Sequence, residues 1–317
     1  MSLLRRRSAG CSLVAWAALL VCAACAASTT GATRIPATDG RNVVAPNGKQ
    51  AAAVVARAGA ARTVEPADAR IVFPASVPQG ALVIGKVPPG STVRYDGKTL
   101  RSTGYGTVVF GVGRDARGPL LVEVTRPDAT RDQARIEVTP RDWPVEHVSG
   151  VPPQTVNPPP AIAERIRREQ ALVSAARTRD DDRADFAQSF IWPVQGRISG
   201  RFGNARVYNG QPGSGHSGMD IAAPAGTPVK APAAGVVTFA QDLYLTGGTV
   251  LLDHGFGVSS NFLHLSRIDV RVGDRVEQGQ TIAAVGATGR ATGPHLHWGM
   301  NWFDVRVDPL LVLERGQ

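Results

Sequence analysis

The stretch GPHLHWGM, residues 293–300, sets His295 and His297 on either side of a single leucine in a chain with only six histidines. In an extended strand successive side chains point to opposite faces, and residues i and i+2 share one. A strand here sends both imidazoles to one side and Leu296 to the other. Alone, such a pair is a polar couple on the wet face of a sheet. As half of a metal site it needs partners, and they must come from elsewhere in the chain.

Outward from this stretch the sequence keeps one texture. From about residue 190 the runs GTPVKAPAAGVVTFA (226–240), GGTVLLDHGFG (247–257), VSSNFLHLS (258–266) and DRVEQGQTIAAVG (274–286) alternate short apolar segments with glycine turns. Helix periodicity is lacking, so the pattern predicts an antiparallel sheet with tight turns over residues 190–312. Five of the six histidines fall within it, at 216, 254, 264, 295 and 297.

The run GHSGMD supplies His216 and, four residues on, Asp220. Gly215 and Gly218 point to a loop entering a strand rather than to a helix face. Two imidazole nitrogens and a carboxylate oxygen, with a fourth position open to water, make a catalytic zinc site. His216, Asp220 and one of the HxH pair satisfy that requirement, and the remaining histidine then stands beside the reacting water as a proton carrier. All three cysteines, Cys11, Cys22 and Cys25, lie near the N-terminus. Without thiols in the body of the chain, neither a disulfide framework nor a thiolate site is expected there.

Other acid and histidine groupings are read as structural. Asp253-His254 ends an apolar run before glycine turns, which suits a hairpin tip. RDDDRAD (179–185) reads as a solvated loop, and His147 as a surface residue.

The motifs HSGMD, FLHLS and GPHLHW, with glycine-rich strands between them, closely resemble the lysostaphin-like (M23) zinc metallopeptidases that cleave peptidoglycan peptide crosslinks. The resemblance spans roughly residues 190–310. It implies one zinc ion per chain held by His216, Asp220 and His297, with His264 and His295 as the catalytic histidines. It implies peptidoglycan peptide stems as the substrate. Some members of the family lack ligands and act as non-catalytic activators of amidases, so a wall-binding regulator is the alternative reading. One departure from the family's pattern is Phe262, where a tyrosine is common two residues before the histidine of FLHLS. Tyr208 in RVYNGQPG is either an oxyanion donor or a core residue.

The rest of the chain is expected to be mainly β as well. Residues 67–140 read as a small β-sandwich: ALVIGKV and STVRY, the hairpin dipeptide Asp96-Gly97, then GTVVFGVG, LLVEVTRP and QARIEVTP follow at sandwich spacing. Residues 141–185 read as a proline-rich connector, VPPQTVNPPP, and a helix whose Ile162, Ile166, Val173 and Ala176 share a face. A fragment of residues 185–317 is expected to fold alone.

Residues 1–27 carry Arg5, Arg6 and Arg7 ahead of an apolar, small-residue run, the pattern of a secretory signal, with an uncut membrane anchor as the alternative. Two cleavage schemes compete, ordinary processing near Ala24–Ala27 and lipidation at Cys25. Residues 28–66 read as a flexible tether. Those three arginines account for three of the +9 formal charges, leaving +6 on an exported chain. Such a balance favours anionic partners, here the cell envelope and not nucleic acid. Membrane contact is expected only through a lipidated Cys25 or an uncut signal, and the location is the periplasm or cell envelope.

Overall fold

Apolar residues recurring in twos between glycine turns produce strands throughout the computed structural model, which describes residues 69–315. The signal segment 1–27 with Cys25 and the tether 28–66 lie outside the described residues. Among the described residues no helix is long and apolar enough to cross a membrane.

The largest sheet is antiparallel and built around the His295–Trp302 strand. Leu296, Trp298 and Met300 on one face are fully buried in the apolar core. The opposite face carries His295, His297, Gly299 and Asn301. Along one edge this strand pairs with Val258–Leu265, and along the other first with Met219–Ala222 and then with Val305–Val307. The strands Gly247–Asp253 and Gly235–Leu243 extend the sheet on the Val258–Leu265 side.

Residues 76–139 form two facing sheets. One is five-stranded and includes Thr92–Tyr95, Lys98–Leu100, Leu120–Thr125 and Arg131–Thr139; the other pairs Leu82–Lys86 with Thr107–Gly111. Val93, Phe110, Val122 and Ile136 are fully buried, and the Tyr95 ring lies 4.2 Å from that of Phe110 across the gap between the sheets. Asp96 and Gly97 turn the first hairpin with φ of 48° and 72°, the left-handed pair that a two-residue turn of this hand requires.

The two β blocks share one apolar core. Gly111 abuts Trp302, Val305 and Val307 so closely that a Cβ there would come within 3.0–3.1 Å of each. Asp308 donates its backbone N–H to the Gly80 carbonyl at 2.7 Å, forms an ion pair with Arg141 at 2.9 Å, and caps helix α2 (Pro309–Glu314).

The connector is also structured. Val145–Val148 is a strand paired in parallel with Ala205–Tyr208. His147 is exposed on it, as expected of a surface residue. Helix α1 (Pro160–Ala176) begins on a proline, whose fixed φ suits the first turn. It lays Val173 and Ala176 on Phe239, Leu243 and Leu251.

RDDDRAD is only partly solvated. Asp185 is buried and paired with Arg183 and Arg275, and Arg183 also binds Asp253. Charges clustered in sequence find long-range partners here, which composition does not reveal. A fragment beginning at residue 185 would lack Arg183, the Val145–Val148 strand and α1.

Candidate metal centre

His216 sits in the loop that enters the Met219–Ala222 strand, and Asp220 lies on that strand directly opposite His297. Strand register thus places a carboxylate and an imidazole side by side, and the loop swings a second imidazole onto them. His216 Nε2 stands 3.0 Å from Asp220 Oδ1 and 3.0 Å from His297 Nδ1, and the last two atoms are 2.9 Å apart. All three residues are buried. Glycines make the room. A Cβ on Gly218 would stand 2.8 Å from His297 Nε2, and one on Gly200 would stand 2.5 Å from Asp220 Oδ2.

The protonation states suit a cation. His216 Nδ1 lies 2.9 Å from the Arg201 carbonyl and donates its proton there, so Nε2 presents a lone pair to the cluster. Burial pushes His297 down to about 4, leaving it neutral. Burial would raise the Asp220 carboxyl, but His216 and His297 outweigh it and hold the group well below the usual carboxylate range. Neutral imidazoles and an ionised carboxylate are the forms that bind metal. Hydrogen bonding alone leaves the set incomplete, because among the described residues His297 Nε2 is buried without a partner. Whichever nitrogen of His297 carries its proton, the three converging atoms share at most one between them, and a divalent cation satisfies all three. The residues therefore fit a metal ion.

A further layer holds the carboxylate. Arg206 donates to Asp220 Oδ2 at 2.5 Å and to Glu146 Oε2 at 3.1 Å, and Glu146 Oε1 accepts from Asn204 at 2.7 Å. Burial alone would lower the Arg206 pKa, but the Asp220 charge more than reverses this and the cation is held firmly. Sequence reasoning missed both Arg206 and Glu146. Neither belongs to a motif, and their meeting depends on the parallel pairing of the connector strand.

His264 and His295 flank the three ligand candidates. Their ring centroids are 4.8 Å apart, and His264 is 6.3 Å from His297. His264 Nδ1 donates to the Thr288 carbonyl at 2.8 Å and His295 Nδ1 to the Gly293 carbonyl at 2.9 Å, which leaves each Nε2 with a lone pair. His295 Nε2 lies 3.8 Å from Asp220 Oδ1. Burial, then the neighbouring His295 and His297, push His264 down to about 3. Its backbone sits at φ 63°, a left-handed conformation uncommon outside glycine and frequent at functional sites.

The five candidates are brought together, and the residues read as structural stay apart. His254 does lie in the turn between Gly247–Asp253 and Val258–Leu265, but it is fully buried, with Nδ1 2.7 Å from the Ala234 carbonyl and Nε2 2.9 Å from Ser260 Oγ. Phe262 pairs with Trp298 and both are fully buried, so the residue that departs from the family's pattern faces the core and not the histidines. Tyr208 lines the same groove as His216, His264 and His297, its hydroxyl 3.5 Å from Arg206 and its ring 4.3 Å beneath the Arg290 guanidinium. That groove has a volume of about 490 Å³ and one wall made by α1.

The family model described as Peptidase family M23 matches residues 214–309, the span that contains all five candidates. A crystal structure of a peptidase M23 from Pseudomonas aeruginosa superposes with a TM-score of 0.58 at 33% identity, over 74% of this chain and 94% of that one. The chain belongs to peptidase family M23. Among its relatives, the cell division protein DipM of Caulobacter vibrioides is 34% identical over 50% of this chain and 26% of its own length. The peptidoglycan DD-endopeptidase ShyC of Vibrio cholerae is 42% identical over 32% of this chain and 24% of its own. The chain spans about a quarter of the length of these curated relatives. M23 is a metallopeptidase family, and the His216–Asp220–His297 group is its candidate metal site in this chain.

Proposed function

We propose that this chain is a zinc-dependent endopeptidase that hydrolyses the peptide crosslinks of peptidoglycan during cell-wall remodelling. The observation that carries the reading is the convergence of His216 Nε2, Asp220 Oδ1 and His297 Nδ1 within 3.0 Å of one another, beside two further histidines with free Nε2 atoms. A nitrogen–oxygen–nitrogen set without thiolate suits zinc in a hydrolytic site. Relatives named as peptidoglycan DD-endopeptidases support the substrate class.

His216, Asp220 and His297 hold the metal in this reading. When bound there, zinc supplies a Lewis acid that polarises the scissile carbonyl and acidifies water. Arg206 fixes Asp220 so that Oδ1 stays turned toward the two imidazoles. His264 and His295, their Nδ1 atoms tied to carbonyls, each present Nε2 to take a proton from the attacking water. The same nitrogens then return it to the leaving amine. Envelope localisation, through the signal at residues 1–27 with or without lipidation at Cys25, belongs to the same proposal.

The test combines two measurements on the purified chain: zinc content by elemental analysis, and soluble fragments released from purified sacculi with and without chelator. Stoichiometric zinc with chelator-sensitive release supports the proposal. Stoichiometric zinc with intact sacculi would favour the wall-binding regulator, and absence of metal would remove the proposal altogether.

A further inference from the structure

Beyond the metal centre, the groove continues along the face of the His295–Trp302 strand that carries the histidines. Asn301 lies four residues past His297 on that face, about 13 Å further at ~3.3 Å per residue. Its cross-strand partner on Val305–Val307 is Arg306. Arg306 and Arg177, the residue that closes the C-terminal end of α1, both line the groove. Among the described residues neither guanidinium has a carboxylate partner, whereas Arg206 in the same groove has two.

Unmet hydrogen-bonding capacity gathers at this end. Among the described residues Arg177 Nε is buried without a partner, and so are Asn301 Nδ2 and Ser259 Oγ, on residues that oppose each other in the sheet behind it. Asn301 and Ser259 are 2% and 4% exposed. Burial, then the Arg306 charge, push Arg177 down to about 10, so it remains a cation at neutral pH. Glu169, the only acid lining the groove among the described residues, is already engaged by Arg165 and the Tyr244 N–H. Two like charges lining one groove, one of them with an orphaned Nε, are costly, and an anion with several acceptor oxygens relieves both. Guanidinium forks match carboxylates in plane and spacing.

We propose that Arg177 and Arg306 form a carboxylate-binding subsite at the far end of the groove, which takes a free carboxylate of an acidic peptide. The subsite rests on the endopeptidase reading for its role. It anchors a charged group at a fixed distance from His297 and so selects which peptide bond reaches the metal centre. Its existence as a binding site requires no hydrolysis.

The experiment therefore measures binding to the metal-stripped full chain. The probes are a fluorescent alanyl-D-glutamyl peptide with free carboxylates and the same peptide with each carboxylate as its carboxamide, compared by anisotropy. The acidic probe should bind at least about 10-fold more tightly, the scale of a charged hydrogen-bonded contact. Arg177→Gln and Arg306→Gln should each erase that preference without altering carboxamide binding, and Arg306→Lys should retain part of it. Equal binding of both probes by the parent chain would overturn the proposal. So would an equal loss for both probes in the glutamine variants, or displacement of the acidic probe by inorganic phosphate but not by acetate. Preference for the acidic probe in a chain that fails to digest sacculi would leave the subsite standing and remove the endopeptidase reading instead.

Discussion

The two β blocks bury different chemistry around a common core. In residues 69–140, Ser91 is the one buried polar side chain among the described residues, and Val93, Val108, Phe110 and Val122 do the packing. In residues 190–312 the same kind of sheet buries His216, Asp220, Asn261, His264 and His297. Burying such groups is unfavourable unless each finds a partner. Most do: carbonyls of Arg201 and Thr288 hold two of the imidazoles, Asn261 donates to Asn301, and Arg206 holds the carboxylate. A core of aliphatic residues asks only for volume, whereas one carrying ionisable groups asks for protons, partners and a cation in particular places.

The largest test of that contrast is at His297. His297→Ala should lose zinc and hydrolysis together, because two remaining ligands hold a metal poorly. His264→Ala and His295→Ala should keep near-stoichiometric zinc while muropeptide release falls by about 10²–10⁴-fold, the usual worth of a positioned acid or base. Zinc analysis beside release assays on all three variants separates the roles. Metal loss from His295→Ala with retention in His297→Ala would invert them.

In the aliphatic block the expected effect is on stability alone. Phe110→Ala should cost about 3–5 kcal/mol in denaturant unfolding, the range for a large aromatic removed from a core. Zinc content of the protein that remains folded should not change. Metal loss under native conditions would show that the block shapes the site directly.

His254 belongs to the second block but not to its site. His254→Ala should cost about 2–4 kcal/mol by opening a cavity, orphaning the Ala234 carbonyl and leaving Ser260 Oγ only its hydrogen bond from Trp298, while zinc content per folded molecule is kept. In the unfolded chain this imidazole takes a proton near 6.5, but in the fold burial holds it to about 4. Between those values the unfolded state binds more protons, so stability rises with pH, and His254's share is lost as pH falls from about 6.5 toward 4. Unfolding midpoints measured across that window should flatten in the variant. The smallest effect is expected at exposed His147, where alanine should change stability by no more than about 0.5 kcal/mol.

Much of this contrast was legible in the sequence. Period-two alternation and glycine turns marked the sheets, and Asp96-Gly97 marked its hairpin. HxH on a strand predicted a shared face, and His295 and His297 share it. Less legible was anything that depended on pairing between distant segments. Val145–Val148 looked like part of a linker because a proline-rich run follows it, yet its hydrogen-bonding partner is sixty residues away. Asp185 looked solvated because its neighbours are charged, but Arg183 and Arg275 close over it. His264's left-handed backbone and the Arg206–Glu146 pair carry no local signature. Register and tertiary pairing decided these, and neither is written in any single window of residues.

The parallel pairing of Val145–Val148 with Ala205–Tyr208 bears on how such a chain can be recombined. Glu146, upstream of the proline-rich run, reaches Arg206 and through it Asp220. A crossover placed at VPPQTVNPPP, where composition suggests a natural seam, would inherit all five histidines of residues 190–312 and leave behind the acid that braces one candidate ligand. The transferable piece of this protein therefore starts earlier than its motifs do, and a chimera joined before residue 141 keeps intact the support that one joined at the prolines discards.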